Sequence, residues 1–171
     1  MSSAKVGDTI PDATLQTIPW DPSLEDGKAC GAPMKVNTHK EWKGKKIVVV
    51  AVPGAFTPTC HVKHLPEFVQ RAGEFKQKGY EVYIIAANDV FVMSAWGRTE
   101  GGKDGLQFAS DVNLDFSRGL GATLDLSGAG FGERTARYAL IANDLKITYF
   151  AVEEGSSEVN VSSASTVLGK L

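Results

Sequence analysis

Residues 47–52, "IVVVAV", form an unbroken, largely β-branched run that stops at Pro53-Gly54, and "YEVYIIAA", residues 80–87, is a second such run. Neither alternates polar with apolar residues. A strand of that kind is buried on both faces, and it needs layers packed above and below it. The chain between the runs supplies one such layer, a helix expected from about Pro58 to Lys78, with Pro66 kinking it. After the second run, Asn88 can cap "DVFVMSAWGRTE", whose Val90, Met93 and Trp96-Gly97 share one apolar face.

A third strand is expected near "LQFAS", residues 106–110, and a short helix near 113–119. "RYALIAN" and "KITYFAVE" meet at Asp144-Leu145 and read as a hairpin, and Ser162 or Ser163 can cap a last helix, "SASTVLGKL". Residues 1–40 read as a small hairpin followed by a loop containing Cys30. The order is β-α-β-α-β-α-β-β-α behind an N-terminal hairpin extension. Alternation demands parallel strands with right-handed crossovers, and the late hairpin adds an antiparallel edge. The expected fold is therefore α/β and thioredoxin-like, a central mixed sheet flanked by helices. No repeat or low-complexity linker divides the chain, so residues 1–171 are read as one domain.

A net charge of −2 and a pI near 5.9 argue against a nucleic-acid or anionic-membrane surface. No apolar stretch is long enough to span a bilayer, and "MSSAKVGDTIPDAT" lacks a signal-peptide core. Two cysteines, Cys30 and Cys60, are too few for a disulfide-stapled scaffold, which points to a reducing compartment. The C-terminal Gly169-Lys170-Leu171 resembles the peroxisomal address Ser-Lys-Leu but lacks its serine. The cytosol is the expected location, with the peroxisome as the alternative.

The chemistry centres on "VPGAFTPTCHVKHLPEF". Thr57-Pro58 has the form of a helix start, hydroxyl at N-cap and proline at the first helical position. Cys60 then falls at the third position, where a negative side chain meets orphan N–H groups and the positive end of the helix dipole. A thiol there ionises readily, and thiolate is the nucleophile. Arg134 and Arg137 are both candidate cations for it. His61 and His64 follow closely, but with only Cys30 and His39 as further ligands they match no zinc spacing, and surface or helix-face histidines are the simpler reading. A Cys-His hydrolase would need an orienting third group that the sequence does not identify.

"PGAFTPTC" has the Pro-x-x-x-Thr-x-x-Cys pattern of peroxiredoxins, carried by Pro53, Thr57 and Cys60. With "AANDVFVMSAWG" and "RYALIANDLKITYFAVE", the chain resembles the peroxiredoxin-five subfamily, and within it the fungal alkyl hydroperoxide reductases, nearly end to end. The resemblance implies a thiol peroxidase acting on hydrogen peroxide and alkyl hydroperoxides, without cofactor or metal. Cys60 matches the peroxidatic cysteine, which becomes a sulfenic acid. Thr57 matches the threonine bridging thiolate and substrate oxygen, and Pro53 the proline that walls the pocket against water. Arg137 rather than Arg134 matches the arginine that stabilises thiolate and oxyanion. "KACGAPM" resembles the segment carrying the resolving cysteine, which implies that Cys30 closes an intersubunit disulfide reduced by thioredoxin. The resemblance also implies a homodimer, with an apolar rim near Phe56, Phe91 and Trp96. A non-catalytic redox sensor switching at Cys60 is the alternative. A disulfide reductase would show Cys-x-x-Cys, and Thr57 occupies its first position.

Overall fold

The computed structural model describes residues 3–103 and 105–171. Strand β3 (Lys46–Ala51) lies near the middle of a seven-stranded mixed sheet, and its side chains explain why. Ile47, Val49 and Ala51 point into one core with Tyr83, Ile85, Trp42 and Phe116. Val48, Val50 and Val52 point into another with Phe68, Phe75, Met93 and Trp96. With apolar layers on both sides, each position of the run is buried, so the pattern is continuous. β3 pairs in parallel with β4 (Tyr80–Ala86), which pairs in parallel with β5 (Leu106–Ser110). On its other side β3 pairs antiparallel with β8 (Tyr138–Asn143), which turns at Asp144-Leu145 into β9 (Lys146–Val152). Both turn residues have positive φ, 45° and 69°, the geometry of a tight hairpin whose twist suits the strands.

Helices α2 (Leu65–Gln77), α3 (Val90–Thr99) and α5 (Ala164–Leu168) contribute to the Val48–Val50–Val52 layer, while Trp42, just after α1 (Thr38–Glu41), and α4 (Asp115–Gly119) contribute to the Ile47–Val49–Ala51 layer. Among the described residues no helix is long and apolar enough to cross a membrane.

Several details differ from the sequence reading. The N-terminal hairpin, β1 (Thr14–Thr17) with β2 (Met34–Asn37), joins the main sheet through an antiparallel β1–β5 pairing, and Cys30 lies inside its long connection rather than after it. Asp89, not Asn88, caps α3: its carboxylate accepts from Phe91 N and Val92 N. The helix expected from Pro58 begins as a π-helical turn over Thr59–His64 and becomes α-helical at Leu65. Pro66 lies in the first turn of α2, where its missing N–H costs nothing, so it marks the change of winding rather than a kink. A two-stranded sheet, β6 (Thr123–Asp125) with β7 (Glu133–Thr135), has no apolar run to announce it. Ser163 caps α5, its hydroxyl accepting from Thr166 N.

Gly97 shows how closely α3 seats on β5. A Cβ there would stand 2.6 Å from the Phe108 ring, itself buried between Trp96 and the sheet. Gly97→Ala should lower unfolding free energy by about 1–3 kcal/mol through overpacking, read as a lower urea midpoint with an unchanged slope.

Candidate active site

Cys60 stands beyond the C-terminal end of β3, where an open α/β sheet collects its reactive groups. The segment that carries it is held from three sides. Asn88, freed from capping, accepts from Ala55 N at 2.9 Å. Thr135 of β7 donates its hydroxyl to Val52 O at 2.6 Å, and Arg134 Nη1 reaches Pro53 O at 3.4 Å. The turn is tight: Phe56 has φ of 60°, and a Cβ on Gly54 would meet Thr57 Cγ2 at 2.9 Å.

Thr57 is the helix start through its carbonyl, which accepts from His61 N at 2.8 Å. Its hydroxyl does not cap the helix, in contrast to the sequence expectation, but donates to Gly54 O at 2.7 Å. With that hydrogen spent, the oxygen offers only lone pairs to a ligand. One turn later the Leu65 amide reaches back five residues to Cys60 O, the widened winding that sets Cys60 and His64 on one buried side.

The Cys60 side chain is 1% exposed, and Arg137 of the 138–143 strand's leading edge lies against it with Nη2 3.2 Å from Sγ. Arg137 is 2% exposed. Its guanidinium also donates to Ser156 O, from Nη2 at 2.7 Å and Nε at 3.3 Å, and Nη1 lies 2.9 Å from His64 Nδ1. Among the described residues no carboxylate pairs with it. A buried cation without an anion is costly. Here the Ser156 carbonyl and a neutral ring solvate the charge, which leaves it available to sulfur. Arg134 faces Pro53 O and the Phe131 ring instead. Sulfur and guanidinium form the floor of a cleft of about 220 Å³, walled by Pro53, Thr57, Pro58, Leu126 and Phe131.

The histidines are not the surface groups expected. His64 is 1% exposed, with Nε2 2.8 Å from Ser162 O. Its two nitrogens are committed to Arg137 and Ser162, so it serves neither a metal nor as base to Cys60. His61 Nδ1 meets Trp96 Nε1 and the Glu100 carboxylate across to α3. The spacing of four from Cys60 was the signal for His64, since it sets both on one helix face. Two contributions left no signal: the carbonyls of Ser156 and Ser162, and Glu153, whose carboxylate accepts from Asn160 N, Ser162 N and Ser162 Oγ. Cys30 is exposed and free, and the loop around it is tied to α3 by Arg98 donating to Ala29 O at 3.2 Å. Cys30 and Cys60 are therefore separate in this state. Trp96 belongs to the core, while Phe56 and Phe91 are exposed.

Burial lowers the His64 pKa from 6.5 to about 4, against the Ser162 carbonyl, which favours protonation, and with the Arg137 charge, which opposes it. The ring is neutral in the fold at pH 7. Its contribution is complete above the unfolded value near 6.5 and disappears as pH falls from there through about 4. The shift corresponds to on the order of 3 kcal/mol. Urea unfolding at pH 7 and pH 4 should show wild type losing more stability on acidification than His64→Gln, whose side chain does not titrate. Parallel losses would contradict this assignment.

Comparison with known proteins agrees with the geometry. The Redoxin family model matches residues 5–168. A Malassezia furfur protein named "Putative peroxiredoxin" is 58% identical over 168 residues, covering 98% of this chain and 100% of the relative. The crystal structure of reduced Prx3 from Vibrio vulnificus in complex with H2O2 is 34% identical with a TM-score of 0.82, covering 97% of this chain and 94% of that one. Peroxiredoxin 5 from Alvinella pompejana is 31% identical with a TM-score of 0.78, covering 98% and 97%. Matched along nearly its whole length, with Cys60 under a buried arginine at the end of a central strand, this chain belongs to the redoxin family and, within it, to the peroxiredoxins.

Proposed function

We propose that the protein reduces hydrogen peroxide and alkyl hydroperoxides through Cys60 and is recycled by thioredoxin through Cys30. The observation that carries the reading is the 3.2 Å contact between Arg137 Nη2 and Cys60 Sγ on the floor of a cleft. In the first step the Cys60 thiolate attacks the terminal peroxide oxygen. An S–O bond forms, the O–O bond breaks, and sulfur is oxidised to sulfenic acid. The electron pair leaves on the distal oxygen as alkoxide or hydroxide, which takes a proton from water. Displacement at oxygen needs sulfur, oxygen and leaving group in line. Thr57 Oγ1, its hydrogen given to Gly54 O, accepts the peroxide O–H and aims that oxygen at sulfur. Arg137 stabilises charge as it moves from sulfur to the leaving oxygen, and buried Pro53 keeps water out. Pro58, Leu126 and Phe131 give the cleft an apolar wall that suits an alkyl group beside the peroxide.

The Cys60 sulfenic acid then condenses with the Cys30 thiol, releasing water and forming a disulfide. Disulfide geometry needs Cα atoms about 4.4–6.8 Å apart. Cys60 is buried and Cys30 is exposed on a docked loop, so the turn at Thr59–His64 must unwind first. Exposed Phe56 and Phe91 support a homodimer in which the partner supplies Cys30. Two thioredoxin thiols then exchange with the disulfide and restore both cysteines. The cytosol is the proposed location.

Cys60→Ser should abolish peroxide consumption in an assay coupling NADPH, thioredoxin reductase and thioredoxin, with an unchanged circular dichroism spectrum. Measurable turnover would overturn the assignment. Thr57→Val and Arg137→Met should each slow Cys60 oxidation by about 10²–10³, the usual cost of losing a preorganised transition-state partner. Cys30→Ser should still consume one equivalent of peroxide yet stall with thioredoxin, and it should lack the disulfide-linked dimer that wild type shows on a non-reducing gel. Undiminished turnover would mean that an outside thiol resolves Cys60. An oxidised monomer carrying an internal Cys30–Cys60 bond would place the resolving thiol on the same subunit.

A further inference from the structure

We propose that His64 is a positioning residue for the peroxide reaction: its Nδ1 is the acceptor that holds Arg137 against Cys60, in a tautomer dictated by residues 153–162. The proposal rests on the peroxidase reading above. The ring is 1% exposed, and among the described residues its nitrogens have two polar neighbours, of opposite kinds. Ser162 O, 2.8 Å from Nε2, can only accept, so Nε2 carries the hydrogen. Arg137 Nη1, 2.9 Å from Nδ1, can only donate, so Nδ1 carries the lone pair. One neutral tautomer satisfies both contacts. The other would set a lone pair against a carbonyl and an N–H against an N–H.

The carbonyl that selects the tautomer is itself held. Glu153 Oε1 accepts from Asn160 N at 2.6 Å, Ser162 N at 2.9 Å and Ser162 Oγ at 2.7 Å, curling the chain after β9 back upon itself. Glu153 N donates to Arg137 O at 2.9 Å, which ties this curl to the arginine's own backbone. Tyr149 of β9 adds a hydroxyl donated to Val161 O at 2.8 Å. The curl thus grips the guanidinium twice, directly through Ser156 O and indirectly through Ser162 O and the imidazole. Charged and titratable groups face the ring from each neighbour: Arg137 from β8's leading end, Glu153 from the end of β9, Glu67 from α2, and Cys60 from its own turn.

Ser156 O binds the guanidinium at Nε and Nη2, the edge that also serves sulfur. His64 binds the opposite arm, Nη1. Two anchors on different arms stop the planar group from swinging, and with only one the Nη2–Sγ contact loosens. Misplacement by about 1 Å in such a site costs up to about 10²-fold in rate.

Two substitutions separate this role from simple filling of a buried site. Asparagine sets its side-chain oxygen near the Nδ1 position and can keep the acceptor for Arg137 while losing Ser162. Glutamine reaches the Nε2 position and keeps the Ser162 contact while losing Arg137. Both remove the ring. Stopped-flow oxidation of Cys60 by hydrogen peroxide should fall about 10–100-fold in His64→Gln and only a few-fold in His64→Asn. Alkylation of Cys60 by iodoacetamide, which makes no oxyanion for Arg137 to meet, should change far less in both. Equal peroxide losses, a larger loss in His64→Asn, or alkylation falling in proportion would reduce His64 to a structural group and overturn the proposal. A dead Cys60 in wild type would instead overturn the peroxidase reading. If either variant fails to fold, nitrogen-15 spectra of wild-type His64 decide. The Nε2–H tautomer is expected at pH 7, and a Nδ1–H tautomer or a protonated ring would refute the assignment.

Discussion

A buried guanidinium that meets no carboxylate among the described residues is the constraint around which this molecule is arranged. Arg137 sits at the leading end of β8, the antiparallel neighbour of β3, and so arrives directly beside the segment that carries Cys60. A carboxylate partner would neutralise it most cheaply, but it would also occupy the electrostatic role that sulfur and a leaving oxygen need. The fold instead surrounds it with dipoles: the Ser156 carbonyl and a histidine kept neutral by burial. Carbonyl dipoles do not need to reorganise as charge moves, which is how preorganised sites lower barriers. The sheet must therefore be buried on both faces here, since water at this end would screen the arginine and solvate the thiolate.

Position at a strand end and winding of the following turn work together. Beyond Ala51 the chain has to leave the sheet, close a turn narrow enough that Gly54 cannot carry a side chain, and start a helix within a few residues. The π-helical turn widens that start and brings both Cys60 and His64 inward, whereas Pro66 limits it by opening a regular α-helix from Leu65. A turn wound this way has few ordinary i→i+4 bonds to lose. That suits the proposed cycle, in which the segment holds a thiol for attack and then releases it to a disulfide. The Cys30 loop shows the same compromise on a smaller scale: Ile18 and Leu24 pack against Val90 and Arg98 grips Ala29 O, while the thiol stays exposed.

The parts legible in the sequence were those whose cause is local. Continuous burial of β3 follows from six apolar residues, the 138–152 hairpin from a two-residue turn, and the reactive cysteine from its place after Pro, Gly, Thr and Pro. Local reasoning failed where two donors or caps competed. Asn88 and Asp89 can each cap a helix, and Asp89 does so because Asn88 is needed by Ala55 N. Thr57 can cap or turn, and the closeness of Gly54 O decided for the turn. β6 and β7 are three residues each, with mixed burial, too short for any periodicity to mark.

By itself, then, the sequence determined the order of the parallel strands and their crossover helices, the double burial of the central strands and the cysteine at a helix start, because hydrophobic period and turn chemistry act within a few residues. The tertiary structure alone decided how the Arg137 charge is solvated and why His64 stays neutral. Those depend on carbonyls at Ser156 and Ser162 and on Glu153, residues distant from Cys60 in the chain. A backbone carbonyl has the same identity at every position, so only the path of the folded chain can tell where it points.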